Sequence, residues 1–426
     1  MTLDPGHFHS ALVHKSMYPE VNPQVFVYAP EGAELDAHIN LVEQYNTREN
    51  EPTEWDLAMH KGPNFVERML AEKPGNIVIL AGNNQKKTEY ILSSVEEGIN
   101  VLADKPMAIN ENDFEILSKA FEAAEENEVL IYDVMTERYA ITNRLQKEFS
   151  ELPDVFGELI DGTVENPAIT KESVHYISKE VSGSPLIRPA WFFDIEQQGE
   201  GIVDVTTHLI DLIQWASFPG EIVDCHSDIV ILSANRWQTT LTPEQFQKVT
   251  EVEEYPSYLR PYVDSDSLLQ VYANGEIIYR LNGVHAKVRV DWEFEAPEGA
   301  GDTHYSIMRG SRGNLVIRQG EEQDYQPELY IEPVDEEDNS FGQALEENLD
   351  IVRQKYPDLE LEKLEDGWKV IIPERYKVGH EAHFSEVTEK YLQYLKEGKL
   401  PEWEKLAMIS KYWLTTQALK VARENK

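Results

Sequence analysis

The feature that most constrains the fold is an alternation of short apolar runs with amphipathic stretches over the first third of the chain. The predicted strands are 24–28, 76–81, 100–103 and 129–132, and the predicted helices include 64–71, 87–97 and 111–126. Gly98 follows one of these helices as a C-cap, and the next strand begins at once. Strands that alternate with helices of this length predict βαβ units and a parallel sheet, hence a doubly wound, Rossmann-like α/β domain.

The pattern changes after about residue 139. A helical stretch over 140–151 leads into a region of strand-like runs, which are 223–233, 267–273, 276–281, 286–294, 314–318 and 328–332. Turn signals at Asn274-Gly275 and Arg312-Gly313-Asn314 predict hairpins. Helical patterns cover 238–252, 382–396 and 403–423. We therefore predict two domains, a Rossmann-like domain over 1–139 and an α+β domain over 140–426 with a large open, mainly antiparallel sheet.

Charge and composition exclude several kinds of partner. The 426 residues carry a formal net charge of −40, which argues against binding to nucleic acid or an anionic membrane and favours a neutral substrate. The single cysteine, Cys225, excludes a disulfide within the chain and a cysteine-cluster metal site. The chain shows neither a signal-like N-terminus nor an apolar run of membrane-spanning length. We expect a cytoplasmic protein, or alternatively a periplasmic one from which an N-terminal segment was removed, since the sequence begins inside a predicted strand.

A lysine follows one of the predicted buried strands. The run Val101-Leu102-Ala103 continues into Asp104-Lys105-Pro106. Ligands of open α/β sheets bind outside the carboxyl ends of the strands. Lys105 is therefore predicted to lie in the ligand crevice.

The first βα turn is where a dinucleotide fold holds the phosphates of its cofactor. Here it has one glycine, Gly6, followed by His7, Phe8 and His9. A full G-x-G-x-x-G sequence would place backbone N–H groups against the pyrophosphate, so one glycine is a weak signal. The two histidines either line the cleft or make local hydrogen bonds in the loop.

Two further strand ends complete the predicted cofactor site. Glu31, after the second strand, is positioned to bind the adenosine ribose, and no basic residue adjoins it to take a 2′-phosphate. This favours NAD, with NADP as the alternative. Gly82, Asn83 and Asn84 follow the strand at 76–81 and suit packing beside the nicotinamide ribose, although an ordinary turn uses the same residues.

A downstream segment offers partners for Lys105. Glycines at 199 and 201 lead into a predicted helix in which Asp204, His208 and Asp211 repeat at i, i+4 and i+7, on one face. Acids and a histidine on an otherwise apolar helix are costly unless they face a cleft or each other. The alternatives are a helix cap with a hydrogen-bonded core histidine, or metal ligation by His208, and we predict no bound metal.

Together these segments resemble the glucose–fructose oxidoreductase/inositol dehydrogenase (Gfo/Idh/MocA) family. The helix and strand over 83–106 resemble the family's E-K-P strand, with Asp104 in place of the usual Glu. Residues 199–211 resemble its glycine-led Asp/His helix, with Glu200 interrupting the glycines. The region after 155 resembles its open-faced sheet domain. Segments 4–9 and 300–305 resemble a bacterial branch of the family with its own C-terminal domain.

The resemblance implies roles for these residues. Lys105, Asp204 and His208 would be the catalytic set, with NAD(P) as the cofactor of the N-terminal domain. His208 would accept the hydroxyl proton while hydride leaves the carbinol carbon. Lys105 would stabilise developing charge on the oxygen, and Asp204 would orient the substrate or the histidine. The cofactor contacts would be Gly6, His7, Phe8, His9, Glu31, Gly82, Asn83, Asn84, Asp104 and Lys105, and the substrate contacts His175, Arg188, Trp191, Asp204, His208 and His304.

Three functions remain open. The first is an NAD(P)-dependent dehydrogenase acting on a CH–OH group of a sugar, polyol or glycoside. The second is an NAD-dependent glycosidase or lyase that oxidises a ring hydroxyl transiently and eliminates the aglycone. The third is a non-catalytic nucleotide or sugar sensor. A neutral, carbohydrate-like ligand is expected in each case, and the exposed face of a large open sheet predicts a homo-oligomer, either a dimer or a tetramer.

Overall fold

The computed structural model describes residues 1–181 and 184–425. The strands in this part of the chain are β1 (Thr2–Leu3), β2 (Gln24–Ala29), β3 (Asp56–Lys61), β4 (Ile77–Leu80), β5 (Asn100–Asp104), β6 (Ile131–Val134), β7 (Ile169–Ser178), β8 (Glu180–Val181), β9 (Ser184–Pro185), β10 (Ile229–Leu241), β11 (Leu269–Leu281), β12 (Val284–Glu295), β13 (Thr303–Arg309), β14 (Gly313–Gln319), β15 (Glu328–Pro333), β16 (Glu360–Lys363) and β17 (Trp368–Ile371). The α-helices are α1 (His9–Leu12), α2 (Ala33–Thr47), α3 (Phe65–Glu72), α4 (Lys87–Glu96), α5 (Glu111–Glu126), α6 (Ile141–Ser150), α7 (Thr206–Ser217), α8 (Pro243–Thr250), α9 (Phe341–Arg353), α10 (His380–Glu397) and α11 (Glu402–Glu424).

These elements form two compact units, and each unit draws on separate parts of the sequence. Unit 1 comprises 1–136, 188–199 and 380–417, and unit 2 comprises 137–187, 200–379 and 418–426. The predicted division into two domains between residues 139 and 140 stays a prediction. None of the helices in the described ranges combines the length and the apolar character that a bilayer crossing requires.

Unit 1 contains a six-stranded, all-parallel sheet in the order β3-β2-β1-β4-β5-β6. The predicted Rossmann-like fold is confirmed. Strand β3, at the edge of the sheet, was not predicted, because its sequence Asp-Leu-Ala-Met-His-Lys mixes polar and apolar residues. An edge strand needs less apolar character than a central one, since one of its sides has no neighbouring strand.

A buried ion pair lies within unit 1 between β6 and α11. Nζ of Lys411 lies 2.7 Å from Oδ2 of Asp133, and both side chains are almost fully buried. The hydroxyl of Tyr412 donates to the same oxygen at 3.0 Å. Tyr391 of α10 stacks on Tyr132 of β6 with 5.9 Å between ring centroids. The two C-terminal helices therefore contribute polar and aromatic packing to β6.

Unit 2 contains a nine-stranded sheet in the order β10-β11-β12-β7-β13-β14-β15-β17-β16. Every pairing is antiparallel except that of β7 with β12. Helices α6 and α7 pack on this sheet. The predicted open, mainly antiparallel sheet is confirmed.

The predicted hairpin at Asn274-Gly275 is wrong, because β11 runs through these residues without a turn. The Asn274 side-chain amide donates to the Trp237 carbonyl at 3.1 Å, across the sheet. Ile202 packs so close to Gly275 that an added Cβ would lie 2.7 Å from the Ile202 Cβ. The glycine is needed for this close approach, and the chain reverses instead at Asn282-Gly283, between β11 and β12.

The helix predicted over 238–252 begins later than the sequence pattern indicated. Strand β10 extends to Leu241, and Thr242 then caps α8. The Thr242 hydroxyl accepts from the Gln245 backbone N–H at 3.2 Å, and the Gln245 side chain accepts from the Thr242 backbone N–H at 2.9 Å. This reciprocal capping box fixes the helix start, which periodicity by itself leaves open.

Candidate functional site

The strand order of unit 1 reverses between β1 and β4, which is where an open α/β sheet forms a ligand crevice. The loops that follow these two strands approach very closely. A Cβ on Gly82 would lie 2.2 Å from the Asp4 carbonyl oxygen and 2.8 Å from the Gly6 amide nitrogen. Only glycine permits this approach. The Gly6 and His7 amides both donate to the Ala81 carbonyl at 3.2 Å, so these two N–H groups hold the loops together.

A cavity of about 320 Å³ opens at this switch point. Most of its lining residues come from the ends of β1, β2 and β4 and from the segments that follow, and two come from α3 and from the 188–199 segment; they are Asp4, Pro5, Gly6, Ala29, Pro30, Glu31, Gly32, Glu34, Leu35, Phe65, Asn83, Gln85, Lys86, Tyr90 and Trp191. Burial raises the pKa of the Asp4 carboxyl, which also accepts a hydrogen bond from the Tyr90 hydroxyl at 3.2 Å. The cavity therefore has acidic, aromatic and basic groups beside glycine-lined backbone.

Asn83 and Asn84 are held by a neighbouring segment of the same unit. The Asn83 side-chain amide donates to Oε1 of Gln197 at 2.8 Å. The Asn84 side-chain amide donates to the Gln198 carbonyl at 2.7 Å, and the Lys87 ammonium donates to Oδ1 of Asn84. The side chain of Asn84 is therefore committed to packing within unit 1, whereas Asn83 also lines the cavity.

His7, His9 and Asp104 lie together at the carboxyl ends of β1 and β5. Nδ1 of His9 lies 2.9 Å from Oδ2 of Asp104, and Nδ1 of His7 lies 3.6 Å from the same oxygen. Burial would raise the pKa of the Asp104 carboxyl, but His9 and Lys87 outweigh it and hold that pKa well below its usual range. Burial lowers the pKa of His7 well below its ordinary value. The cluster thus contains an anionic carboxylate beside neutral His7.

Lys105 follows β5 directly and is half-buried. Arg188 and Trp191, predicted as substrate contacts, also belong to unit 1. The Arg188 guanidinium lies over the Phe192 ring at 4.4 Å from its centroid. Trp191 lines the cavity at the switch point, where its ring would lie 3.3 Å from a Cβ on Gly6. The structure therefore places Trp191 beside the predicted cofactor loop.

The segment carrying Asp204 and His208 is only partly helical. Gly201–Val203 forms a 3₁₀ turn, and α7 begins at Thr206, so Asp204 precedes the helix that was predicted to contain it. Asp211 pairs with Arg138 through two hydrogen bonds, Nε to Oδ2 at 2.6 Å and Nη2 to Oδ1 at 2.7 Å. Both side chains are buried. Asp211 of α7 therefore forms a structural ion pair with Arg138. Asp204 is buried and His208 is half-buried.

Glu200, which lies between Gly199 and Gly201, is buried in unit 2 and pairs with two arginines. Its two carboxylate oxygens accept from Nη1 of Arg236 at 2.8 and 2.9 Å. Nη2 of Arg423 donates to Oε1 at 2.8 Å. A Cβ on Gly201 would lie 1.7 Å from the Ala273 carbonyl oxygen, so this glycine is sterically required. These contacts explain the departure from two adjacent glycines: the glutamate ties the turn to β10 and to the end of α11.

A polar cluster lies on one face of β7 and β13 in unit 2, and we call it the sheet cluster; its members are Lys171, Ser173, His175, Asp302 and His304. His304 pairs with Ser173 in the strand register, so the two predicted substrate histidines share a face. His175 bridges Ser173 Oγ at 3.0 Å and Asp302 Oδ2 at 3.2 Å through its two ring nitrogens. Burial, followed by the charge of Lys171, lowers the pKa of His304 to about 4.

The sequence did not single out Lys171 of this cluster. Its side chain is fully buried, and the ammonium donates to Oε1 of Gln146 at 3.0 Å and to Oγ of Ser306 at 2.8 Å. Burial lowers its pKa from the ordinary 10.5 to about 7. The sequence around this lysine does not indicate such burial. The side of the sheet on which Lys171 lies is known only once β7 has been paired with its neighbouring strands.

We expect Lys171→Met to raise the free energy of unfolding at neutral pH. The unfolded chain binds the Lys171 proton more tightly than the folded chain, so the wild-type protein loses stability as pH falls from about 10 to 7. Below pH 7 the loss is complete and constant. Urea denaturation at pH 9.5 and pH 6 measures this: the advantage of the variant should be larger at pH 6. An equal advantage at both pH values would contradict a shifted pKa, and the exposed Lys363→Met is the matched control.

The comparisons with known proteins identify the family. Residues 145–423 match a family profile described as "Putative oxidoreductase C terminal domain", which is more than half of the chain. The chain belongs to this oxidoreductase family. The predicted membership of the Gfo/Idh/MocA group is thereby confirmed. A "putative oxidoreductase" from Parabacteroides merdae ATCC 43184 is 52% identical to this oxidoreductase over 100% of this chain and 97% of that chain, with a TM-score of 0.98.

More distant solved structures share the fold of this oxidoreductase. A levoglucosan dehydrogenase in complex with NADH is 13% identical over 100% of this chain and 96% of that chain, with a TM-score of 0.62. A 3-ketoreductase from Actinomadura kijaniata in complex with NADP is 14% identical over 99% of this chain and 96% of that chain, with a TM-score of 0.58. Identities this low show the fold alone. A search of curated proteins gave no match.

Proposed function

We propose that this oxidoreductase transfers hydride between a nicotinamide cofactor and a hydroxyl-bearing carbon of a carbohydrate-like substrate. The observation that carries the proposal is the cavity at the β1/β4 switch point, in a chain of an oxidoreductase family. Switch-point crevices are where doubly wound sheets bind dinucleotides. Relatives of the same fold are solved with NADH or with NADP, which supports this class of cofactor.

The residues present fit a dinucleotide. The loops at Gly6 and Gly82 are free of side chains where the backbone approaches most closely, and Glu31 enters the cavity from the end of β2. We assign the ribose hydroxyls to Glu31, and the nicotinamide end to His7, Phe8, His9, Asn83, Asp104 and Lys105. When bound, the cofactor supplies the hydride acceptor or donor.

We assign the proton and charge control to this chain's own residues. His208 accepts the hydroxyl proton during oxidation, because an imidazole titrates near neutral pH. Lys105 donates a hydrogen bond to the same oxygen and stabilises its developing negative charge. Asp204 orients the substrate. Further substrate contacts are assigned to Arg188, Trp191 and the two histidines of the sheet cluster.

The test is a panel of neutral sugars, polyols and glycosides with NAD⁺ or NADP⁺, followed by the absorbance of the reduced nicotinamide. Neutral compounds are chosen because a chain with a net charge of −40 repels anions. Levoglucosan is included because a dehydrogenase of this fold is solved with it. Tight nucleotide binding without turnover of any compound would instead favour a sensor.

We expect Glu31→Gln to reduce the preference of the enzyme for NAD over NADP by about tenfold, which corresponds to about 1.4 kcal/mol of lost repulsion. A carboxylate that binds ribose hydroxyls repels the 2′-phosphate of NADP, and Glu31→Gln removes that repulsion while Lys86 of the same cavity still attracts the phosphate. The ratio of kcat/KM for the two nucleotides measures the effect. Glu43→Gln, an exposed change in α2, the helix that follows Glu31, should leave the ratio unaltered. An unchanged ratio for Glu31→Gln would remove this role.

Elimination of an aglycone after transient oxidation is the second candidate, and the sheet cluster favours it. Such chemistry needs a further base to remove a proton beside the newly formed ketone. His175, which is partly exposed and bonds to Ser173 and Asp302, supplies a group of that kind within unit 2. Release of aglycone without net change in nicotinamide absorbance would distinguish this reaction from simple dehydrogenation.

We further propose that the protein is a homo-oligomer, a dimer or a tetramer, associated through the outer face of the sheet in unit 2. That face carries a ladder of opposite charges, in which Lys287 pairs with Glu172 at 2.9 Å and with Glu276 at 3.2 Å. Because these charges are already paired, the free-energy cost of burying this face against another subunit is lower. Light scattering measures the mass, and a monomer at micromolar concentration would refute the proposal. The cytoplasmic location stays a prediction.

A further inference from the structure

We propose that His7, His9 and Asp104 form a binding site for a divalent transition-metal cation of the Zn²⁺ class. The site consists of two imidazole nitrogens and one carboxylate oxygen, and these three potential ligand atoms lie within 4.8 Å of one another. The sequence predicted no metal, because it could not show that the first βα turn meets the end of β5.

The distances between the ligand atoms match a shared cation. Zn²⁺ binds nitrogen and oxygen ligands at about 2.0–2.1 Å, and tetrahedral geometry then separates neighbouring ligand atoms by about 3.4 Å. Oδ2 of Asp104 lies 2.9 Å from Nδ1 of His9 and 3.6 Å from Nδ1 of His7. The two values bracket the tetrahedral separation, and the third separation, between the two imidazole ligand atoms, is at most 4.8 Å.

Hydrogen bonding alone accounts for only part of this arrangement. The 2.9 Å contact of His9 with Asp104 is a good hydrogen bond, whereas the 3.6 Å contact of His7 is too long to be one. Nδ1 of His7 also accepts from the His9 backbone N–H, at a weak 3.4 Å. A second imidazole is therefore directed at an oxygen that it does not reach. A cation between the three atoms would satisfy both imidazoles and the carboxylate together.

The surroundings of the cluster are suited to a held ion. The side chains of His7, His9 and Asp104 are 22%, 12% and 7% exposed, so they are desolvated yet reachable from solvent. The nearby ammonium of Lys87 bonds to the backbone carbonyls of Asp104 and Pro106, at 3.0 and 3.3 Å. It therefore holds the β5 end in place without occupying the ligand position of the carboxylate.

The donor set also indicates the class of metal. Imidazole nitrogens suit Zn²⁺, Fe²⁺, Co²⁺ and Ni²⁺, whereas Mg²⁺ and Ca²⁺ prefer oxygen ligands. Three protein ligands leave at least one coordination position open, as catalytic rather than structural metal sites do. The open position would be filled by water or by an oxygen of a bound molecule. Asp104 directly precedes Lys105 in the sequence, so the ion would be bound by the residue next to the proposed catalytic lysine.

The experiment measures metal binding by the full chain without a polyhistidine tag, after chelator treatment and dialysis. Co²⁺ is the probe, because its visible absorption reports the number and type of ligands, and Zn²⁺ is then used to displace it. We expect one equivalent of Co²⁺ per chain, displaced by one equivalent of Zn²⁺. His7→Ala and His9→Ala should each weaken Co²⁺ binding at least about tenfold, since loss of even an outer-shell partner costs that much.

His285→Ala removes a half-buried imidazole from unit 2 and is the matched control; it should retain full binding. Asp104→Asn keeps the shape of the carboxyl but weakens its ligation. If that variant misfolds, the partly exposed His7 provides the decisive change. Absence of a stoichiometric Co²⁺ complex, or equal affinity in His7→Ala and the wild type, overturns the proposal. The readout contains no turnover, so its failure would leave the proposed dehydrogenase function standing, and loss of that function would leave the metal site standing.

Discussion

Lys105→Met is expected to lower kcat for the preferred substrate by about 10²–10³-fold, with nucleotide affinity nearly unchanged. Lys105 is proposed to stabilise negative charge that develops on the substrate oxygen only in the transition state, and removal of one such donor typically costs this much. Methionine keeps the length and apolar stem of the side chain and removes only the ammonium. Steady-state kinetics gives kcat, and quenching of intrinsic tryptophan fluorescence on titration with reduced nicotinamide gives the nucleotide affinity.

Two companion variants make this result interpretable. Lys119→Met removes an exposed lysine of α5 in the same unit and should leave kcat within about twofold of the wild type, since surface changes away from a site are usually nearly neutral. His208→Asn removes the proposed base and should lower kcat by about 10²–10⁴-fold, and it should also abolish the acidic limb of the pH–rate profile. Retained turnover in Lys105→Met would show that the lysine has no part in the chemistry.

Arg138→Met is expected to lower the free energy of unfolding of unit 2 by about 3–5 kcal/mol. The guanidinium of Arg138 holds both carboxylate oxygens of Asp211, and the two side chains are 7% and 2% exposed. Without the arginine, the Asp211 carboxylate keeps its burial cost but loses its bidentate partner. Urea denaturation followed by circular dichroism measures the loss.

The double variant Arg138→Met/Asp211→Leu separates the cost of an unpaired charge from the worth of the pair. Apolar replacement of both partners of a buried pair is often nearly neutral, so the double variant should recover most of the lost stability. Lys377→Met breaks the exposed pair with Glu374 and should cost less than about 1 kcal/mol. If the double variant were as unstable as Arg138→Met, the carboxylate would not be the source of the loss.

Much of the fold was predictable because local sequence carries the signals of regular structure. Strands β2, β4 and β5 are nearly continuous apolar runs, as expected for strands of a parallel sheet that is covered on both faces. Helices α4 and α5 followed from their periodicity and from the glycine after α4. The polar edge strand β3 and the unbroken course of β11 through Asn274-Gly275 were not predicted correctly. The first depends on a neighbouring strand, and the second on the packing of Ile202 against Gly275.

The candidate site divides in the same way. The positions of Lys105 and of the loop at Gly6, at strand ends, could be predicted because the carboxyl ends of parallel strands meet at one edge of a sheet. The return of 188–199 to unit 1 could not be predicted, because nothing in the local pattern of that segment indicates that Trp191 packs beside Gly6 or that Gln197 receives Asn83. The pairing of Asp211 with Arg138 could not be predicted for the same reason, since these residues are 73 positions apart.

The sequence by itself determined the α/β alternation, the residue types available for chemistry, and the net charge of −40. These properties are local or additive, so they can be taken from spacing, composition and charge without knowing which residues meet. Only the tertiary structure decided the state and company of each group. It brought His7 and His9 to Asp104, placed Lys171 in a fully buried environment, and made Asp211 structural. Burial and long-range pairing set the free energy of a charge, and both arise only when distant segments pack together.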